Sequence, residues 1–350
     1  MGRVDDPAIF FVPMAFASMN SNDSNVETGP AGITYRLRST AAGKIKQAIV
    51  VTILAIFSLA SIATTAGIIM MLFLESSRFF GTHEIRVNRE EVEKDFTIGE
   101  FLTTTKWNMG TAKFTDEVNY GVWPLLLGTL KITGVAMLIA LPLGLVTAVY
   151  LSEYAPKAVR SFLKPTLEIL AGIPTVVLGF FALLVITPLL QGLGEFSSLN
   201  PMAAGIAVGV LCIPLVTSLS EDALRAVPNS LREGAYGLGS TRFEVTWKVI
   251  VPAALSGIIS AFLLALARAI GETMVVALAA GTQAKFNADM MDESQTMTGF
   301  IVQTFSSENV VPGTVNYYSL YVIAGTLFLL TLFITFIGQL IRMRYREVYQ

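Results

Sequence analysis

The sequence has few of the residues that most catalytic and metal sites need. Its 350 residues include one cysteine and one histidine, and only 14% of them are charged. The single cysteine, Cys212, excludes a disulfide within the chain, and its apolar surroundings predict a small buried hydrophobe. One cysteine and one histidine cannot form a usual zinc site, and they offer no histidine-based catalytic triad. We therefore expect no metal site and no catalytic residue.

Charge is scarce as well as balanced. The formal net charge is −2 at pH 7, so the chain lacks the basic field on which nucleic-acid binding depends. Soluble domains carry about 25% charged residues. Here 53% of the residues are hydrophobic and the mean hydropathy is +0.63. This balance indicates an integral membrane protein in contact with lipid.

Six apolar runs are long enough to cross a bilayer, which takes about 20 apolar residues in a helix. We therefore predict an all-α, polytopic membrane protein with six transmembrane helices. The third run contains Glu168, Pro174 and Pro188, and the fourth contains Pro214. Both are expected to be interrupted, and either to line a cavity or to pack with a kink. The predicted spans are residues 47–74, 122–151, 164–190, 202–220, 253–281 and 317–341.

Composition divides the chain into four parts. Residues 1–43 form a polar tail, in which the run 18–25 is expected to be disordered. A first transmembrane helix over 44–74 precedes a loop over 75–121 that is long for a connector. This loop is expected to be either a solvated linker with an interfacial anchor or a small cap that docks a partner. The rest, 122–345, is predicted to be a core of five transmembrane helices.

Basic residues predict the orientation, because positively charged loops stay in the cytoplasm. With six spans all the basic clusters fall on one side, and the loops on the other side are acidic or sparse. We therefore expect a multi-pass protein of the inner membrane with both termini in the cytoplasm. The clusters are Arg36, Arg38, Lys44 and Lys46; Lys157, Arg160 and Lys164; Arg225, Arg232, Arg242 and Lys248; and Arg342, Arg344 and Arg346.

Two charged residues, Arg268 and Glu272, interrupt the fifth predicted span. Each costs about 2.5–3.5 kcal/mol at the centre of a membrane helix, so both need a reason to be there. Four residues apart in one helix, they are expected to share a face. One interpretation is an internal ion pair that stabilises helix packing. We favour the other, in which Arg268 faces a pathway and binds an anion through its planar fork of donors. Glu272 would then hold Arg268 or accept a hydrogen bond from a protonated substrate oxygen.

A third charge, Lys131, lies in the second predicted span. Its ammonium either reaches along the helix to the outer surface or adds positive potential to the same anion pathway. The candidate pathway residues are therefore Arg268, Glu272 and Lys131.

A polar stretch over 221–252 separates the fourth and fifth spans and is more ordered than a connector needs to be. Two pairs of residues have capping-box spacing, two glycines between them are suited to ending a helix, and a proline opens the next span. The pattern predicts helix, glycine break, helix and then a membrane span. These residues are Ser230 with Glu233, Gly237 with Gly239, Thr241 with Glu244, and Pro252.

This stretch resembles the EAA motif of ABC importer permeases. The matching residues are Glu233, Gly234, Ala235, Gly239, Val249, Val251 and Pro252, with Gly234, Val249 and Val251 in place of the more usual alanine, isoleucine and leucine. In that family the motif forms a coupling helix in a groove on a cytoplasmic ATPase. The resemblance therefore implies that five residues couple this chain to an ATPase: Glu233, Gly234, Ala235, Gly239 and Pro252.

Other segments resemble the membrane subunits of the phosphate-specific ABC importer. Residues 267–274, ARAIGETM, are similar to a pattern of both its permeases. Three further segments are similar to the C-type subunit, PstC: 125–144, 150–156 and 167–183. The resemblance implies a type I importer permease that moves inorganic phosphate by alternating access, with Arg268 and Glu272 in the path. It implies three partners, namely a homologous A-type permease, an ATPase dimer and an extracytoplasmic phosphate-binding protein.

The chain has no Walker A sequence, so its energy must come from another chain or from a gradient. The resemblance assigns ATP and Mg²⁺ to the partner ATPase and implies no cofactor bound by this chain. One alternative is a related permease for another oxyanion or a polar solute. A second is a gradient-driven secondary transporter, which has no use for a coupling helix. A third is an integral membrane enzyme, which the shortage of histidine and cysteine opposes.

Overall fold

The computed structural model describes residues 27–28, 34–35, 41–87, 90–108, 118–307 and 310–344. The disorder predicted for 18–25 lies outside these residues. Most of the regular structure is helical, as predicted. In chain order the elements are β1 (Glu27–Thr28), β2 (Thr34–Tyr35), α1 (Ala41–Ser77), β3 (Gly81–Val87), β4 (Glu90–Phe96), α2 (Ile98–Thr103), α3 (Trp123–Val149), α4 (Lys157–Ala171), α5 (Thr175–Phe181), α6 (Thr187–Gln191), α7 (Pro201–Arg225), α8 (Asn229–Gly237), α9 (Arg242–Val245), α10 (Val251–Ala253), α11 (Leu255–Ile270), α12 (Met274–Ala279), α13 (Met297–Phe305) and α14 (Val315–Arg344). Three π-helical turns, Tyr150–Tyr154, Ala182–Ile186 and Thr246–Ile250, continue α3, α5 and α9.

Among the described residues, four helices are long and apolar enough to cross a membrane: α1, α3, α7 and α14. Two bent helix pairs raise the number to six if each pair is one span. In the third predicted span, α4 meets the helix that begins at Thr175 at 87°. Pro174 lies in this bend, where its ring fixes φ and removes a backbone donor. The interruption predicted for the third span is therefore confirmed.

Two details of the predicted spans are wrong. Helix α7 runs unbroken through Pro214, because one proline removes a single helical hydrogen bond and the surrounding helices pack around the buried ring. The fifth predicted span, 253–281, is not one helix. Helix α11 ends at Ile270, Gly271 is its C-cap, and the chain is not helical again until Met274.

The chain divides after Gly67 into two units. The first unit holds β1 and β2, which form a short antiparallel pair, and the first part of α1. Every α1 side chain from Ile45 to Gly67 is exposed. A helix that is apolar on all sides and exposed on all sides is suited to a lipid environment.

Helices α3 and α7 form the centre of the second unit. They approach closely because glycines face larger residues across the contact. A Cβ added at Gly144 would come within 2.6 Å of Val216, and one added at Gly205 would come equally close to Val135. Alanines and the fully buried Cys212 fill the surrounding core. Small residues of this kind let membrane helices pack without larger side chains between them.

The described residues of the predicted loop 75–121 form a small cap, which is one of the two forms predicted for this loop. Strands β3 and β4 pair as an antiparallel hairpin, α2 follows with Thr97 as its N-cap, and Trp107 pairs with Tyr120 in an isolated bridge. The interior of the cap is a cluster of aromatic rings: Phe79, Phe80, Phe96, Phe101 and Tyr120. The cap is therefore an ordered part of the second unit, and its role as a docking surface stays a prediction.

Candidate functional site

Arg268 lies on the last turn of α11, directly before the break in the fifth predicted span. Its side chain is partly exposed. It forms no hydrogen bond or ion pair with any residue that the structure describes. Its charge and that of Glu272 both act on the buried Cys212 of α7, so the three residues lie in one neighbourhood. Among the described residues the guanidinium therefore has no ion-pair partner, and it lies next to a helix end.

Glu272 lies inside the break and is only 7% exposed. Its Oε1 accepts a hydrogen bond from the backbone N–H of Val275 at 3.4 Å, and its carbonyl accepts one from Thr298 Oγ1 at 2.7 Å. The carboxylate thus caps α12, and the adjacent backbone is tied to α13. Because Gly271 ends α11, Arg268 and Glu272 are not four apart in one helix, so the prediction that they share a face is wrong. They form no ion pair in this structure, and their role in a pathway stays a prediction.

Lys131 on α3 is 5% exposed and binds the connection between α12 and α13. Its Nζ donates to Asn287 Oδ1 at 3.0 Å and to the carbonyl of Asp289 at 2.8 Å. The same helix contacts the end of this connection through Thr129, whose Oγ1 accepts from the backbone N–H of Met297, the first residue of α13, at 3.1 Å. Lys131 therefore anchors a loop, and its contribution to an anion pathway stays a prediction.

The EAA stretch folds as helix, break and helix. Helix α8 ends at Gly237, Gly239 has a φ of +81°, and α9 begins directly after Thr241. The capping box predicted for Thr241 and Glu244 is confirmed: Glu244 N–H donates to Thr241 Oγ1 at 3.3 Å, and Thr241 N–H donates to Glu244 Oε2 at 3.1 Å. We refer to α8 and α9 together as the EAA helices.

The capping role predicted for Ser230 is wrong. Helix α8 already begins at Asn229, the residue before it is Pro228, and no side chain caps the helix. The fixed φ of proline sets the direction in which the chain enters the helix, so a polar cap is not needed to define its start.

Helix α8 has one free face and one fixed face. Glu233 and Gly234 are exposed, and a Cβ added at Gly234 would meet no described atom within 4 Å. Ala235 packs instead against the core cluster that contains Leu224 and Val245. Glu233 and Gly234 are thus accessible to a partner chain. Pro252 is exposed in α10, just before the 68° bend into α11.

Two buried carboxylates at this end of the second unit were missed by the sequence analysis. The side chain of Glu153 is 6% exposed and accepts from Arg232 Nη1 at 2.6 and 2.7 Å, one distance to each oxygen. Glu221 is 1% exposed and pairs with Arg160 at 2.5 Å and with Lys164 at 2.9 Å. An acid at the end of an apolar run looks like a solvated residue in the sequence. The available signal was the abundance of basic residues in the neighbouring loops, which these acids neutralise.

A family model described as "Binding-protein-dependent transport system inner membrane component" matches residues 140–347. The match covers more than half of the chain and includes Arg268, Glu272 and both EAA helices. The chain belongs to this family. It is therefore a multi-pass membrane subunit of a transport system.

Two curated relatives of this permease come from different bacteria. This permease is 37% identical over 203 residues to the probable ABC transporter permease protein YqgH of Bacillus subtilis. The match covers 58% of this chain and 64% of YqgH. This permease is also 32% identical over 264 residues to the phosphate transport system permease protein PstC of Mesorhizobium japonicum. That match covers 70% of this chain and 78% of the PstC protein.

A solved structure agrees with this fold. A chain of the inward-facing MetNI methionine ABC transporter superposes with a TM-score of 0.50 at 21% identity, covering 65% of this permease and 95% of that chain. At this identity the likeness concerns the fold alone. The permease has the fold of ABC importer membrane subunits, so the predicted all-α, polytopic fold is confirmed, while the count of six spans and the coupling role of α8 stay predictions.

Proposed function

We propose that this permease is the C-type membrane subunit of an ATP-driven importer of inorganic phosphate. The observation that carries the proposal is the guanidinium of Arg268, which forms no ion pair with any described residue and lies at a helix break between two apolar segments. A charge in that position is costly unless it has a partner, and an anionic substrate supplies one. The PstC protein of Mesorhizobium japonicum, whose name specifies phosphate, supports the choice of anion.

The chemistry of the two residues separates phosphate from sulfate. The planar guanidinium of Arg268 binds any tetrahedral oxyanion through paired hydrogen bonds. Near neutral pH, phosphate carries at least one proton and sulfate carries none. An ionised carboxylate only accepts hydrogen bonds and has several lone pairs, so Glu272 can accept one from a protonated phosphate oxygen while it caps α12. Sulfate offers no such donor and would meet only charge repulsion from Glu272.

The remaining parts of the proposal concern partners. A homologous A-type permease completes the path, and an extracytoplasmic phosphate-binding protein delivers the anion. The exposed residues of α8, Glu233 and Gly234, dock on an ATPase dimer that binds ATP and Mg²⁺. Ala235, Gly239 and Pro252 set the position of this helix. Both chain termini then lie in the cytoplasm, and the cycle of ATP binding and hydrolysis alternates access to Arg268.

The test is uptake of radiolabelled phosphate into proteoliposomes that contain the permease, its partner permease, the ATPase and the binding protein. ATP on the side of the membrane that carries the ATPase should drive uptake. Excess sulfate should not compete with phosphate. Competition by sulfate would favour a permease for another oxyanion. Uptake that follows a proton or sodium gradient, with no copurified ATPase, would instead favour a secondary transporter and contradict the proposal.

Arg268 supplies a sharper version of the same test. We expect Arg268→Gln to assemble normally but to lower phosphate uptake about a hundredfold, which corresponds to the loss of one partner of a buried charge pair. Arg268→Lys keeps the charge without the planar fork and should retain part of the uptake. Wild-type uptake by the glutamine variant would rule out Arg268 as the anion-binding residue.

A further inference from the structure

The EAA helices are fixed to one residue at the end of α3. Arg232 of α8 donates to the carboxylate of Glu153 through Nη1, at 2.6 and 2.7 Å. Arg242 of α9 donates to the backbone carbonyl of the same residue and lies 5.0 Å from the ring centroid of Tyr154. Each EAA helix therefore contributes one arginine to Glu153 or its backbone.

Additional hydrogen bonds fix both side chains of the contact between Glu153 and Arg232. Glu153 lies in the π-helical turn Tyr150–Tyr154, which continues α3, and Ser152 Oγ donates to its Oε1 at 2.8 Å. Arg232 also donates through Nη2 to the carbonyl of Leu224 at 2.8 Å, which ties the end of α7 to the same point. A charged, multiply hydrogen-bonded and nearly buried pair of this kind is costly to break, because the remaining charge stays buried without a partner.

A second buried acid, Glu221, provides a comparison for Glu153. Glu221 is as buried as Glu153 and is bound by Arg160 and Lys164 of α4. It also lies 3.8 Å from Arg225 of its own helix. No ion pair or hydrogen bond connects its side chain to α8 or α9 within the described residues. Glu221 thus joins α4 to α7, whereas Glu153 joins the EAA helices to α3.

Helix α3 continues from Glu153 to the other end of the second unit, where Lys131 and Thr129 hold the connection between α12 and α13. Glu153 thus links the EAA helices to α3, and α3 contacts the connection that follows α12. We propose that Glu153 is the positioning residue that makes the EAA helices and α3 move as one body. Without it, ATP hydrolysis continues but drives much less transport. This proposal rests on the proposed function, because it assumes an ATPase that docks on α8.

The test measures phosphate transported per ATP hydrolysed in the reconstituted complex. We expect Glu153→Gln and Arg232→Gln each to lower this ratio about tenfold, a size typical of the coupling between two sites. The double variant should be no worse than either single variant, because all three lose the same contact. Arg232→Lys keeps the charge but cannot reach both the Glu153 carboxylate and the Leu224 carbonyl, so its transport ratio should lie between those of wild type and Arg232→Gln. This variant replaces Glu153→Gln in the test if Glu153→Gln assembles poorly.

Glu221→Gln is the matched control. It removes an equally buried carboxylate at the same end of the molecule, so it should lower thermal stability but keep the transport ratio. A ratio that falls equally in Glu221→Gln would show general loosening and overturn the proposal. So would a wild-type ratio in Glu153→Gln.

Hydrogen exchange in the assembled complex gives a readout that does not depend on transport. We expect backbone amides of the EAA helices to exchange faster in Glu153→Gln than in wild type or Glu221→Gln. Unchanged exchange in all three would contradict the proposal. If wild type itself shows no ATP-driven uptake, the proposed function fails, while the exchange result still decides whether Glu153 fixes the EAA helices.

Discussion

Single charged residues hold the connection between α12 and α13 in place. Lys285 Nζ donates to Asp292 Oδ2 at 2.6 Å, and the backbone N–H of Glu293 donates to Asp292 Oδ1 at 2.8 Å. The hydrogen bond from Lys285 is the main reason that the pKa of Asp292 lies below its ordinary value. Both side chains are about one-third exposed, so solvent weakens the pair without removing it.

The lowered pKa of Asp292 predicts a pH dependence for this connection. Because the folded protein favours the carboxylate, the stabilisation is complete above the ordinary aspartate pKa of about 3.9 and is lost as the pH falls through the lowered value. A spin label at the exposed Ala288 should therefore become more mobile only in that acidic range. In Asp292→Asn the label should be mobile at every pH. A label that stays equally ordered throughout the acidic range would contradict this assignment.

Glycines decide how two of the elements meet their neighbours. Gly239 lies between the EAA helices with a φ of +81°, where a Cβ meets no described atom within 4 Å. A substitution there is therefore strained by the backbone alone. Gly128 on α3 presents the opposite case, since a Cβ there would come within 2.2 Å of the carbonyl oxygen of Gln295.

Gly239→Ala should distort the turn between α8 and α9. The left-handed conformation costs a residue with a side chain about 1–2 kcal/mol, so the variant should stimulate the ATPase less and retain less of it during purification. Gly237→Ala is the matched control, because Gly237 ends α8 with a negative φ and open space around it. Equal ATPase retention and stimulation in both variants would show that the turn conformation does not matter for coupling.

Gly128→Ala should loosen the connection between α12 and α13. The added methyl group has no room, and overpacking of this kind costs about 1–3 kcal/mol. Gly134→Ala lies on the same helix, where a Cβ meets nothing within 4 Å, so its thermal unfolding should match or slightly exceed that of wild type. Thermal unfolding of both variants in detergent measures the difference. Equal stabilities would mean that α3 does not pack on Gln295 as described.

Sequence reasoning could predict the elements whose apolar runs are long, and this explains the success with α1, α3, α7 and α14. It missed the break at Gly271 because the long apolar segments before Arg268 and after Thr273 made the whole stretch look like one span, and composition does not show where a helix changes direction. It missed the β3–β4 hairpin because its short strands are rich in charge and lack an extended apolar alternation. The contacts of Glu153 and Lys131 depend on partners far away in sequence, so the excess of basic residues in the loops near Glu153 indicates a partner for it but not which residue binds it.

Helix α3 and the π-helical turn that continues it make contacts at both ends of the second unit. Lys131 binds the connection between α12 and α13, and Glu153 binds the EAA helices. At 1.5 Å per residue these two positions are about 33 Å apart along the helix, close to the roughly 30 Å of a bilayer core. We therefore expect the two contacts to lie at opposite surfaces of the membrane.

This separation predicts the topology of the molecule. Cysteines placed at the exposed Lys157 and Ala288, in a Cys212→Ala background, should react with an impermeant maleimide from opposite sides. We expect Ala288→Cys to be labelled in intact cells and Lys157→Cys only in inverted vesicles. Labelling of both from one side would contradict the six-span arrangement and the cytoplasmic position of the EAA helices.

The single thiol of the chain has a consequence for following transport in time. Cys212 is fully buried, and its Sγ lies 3.9 Å from the carbonyl oxygen of Ala265, one helical turn before Arg268. We therefore expect a thiol reagent to reach Cys212 only when the helices packed around it separate, α7 and α11 among them. The unmodified protein thus contains a reporter of this helix separation. The rate at which the reagent modifies Cys212 during ATP turnover would measure how often the helices beside Arg268 move apart.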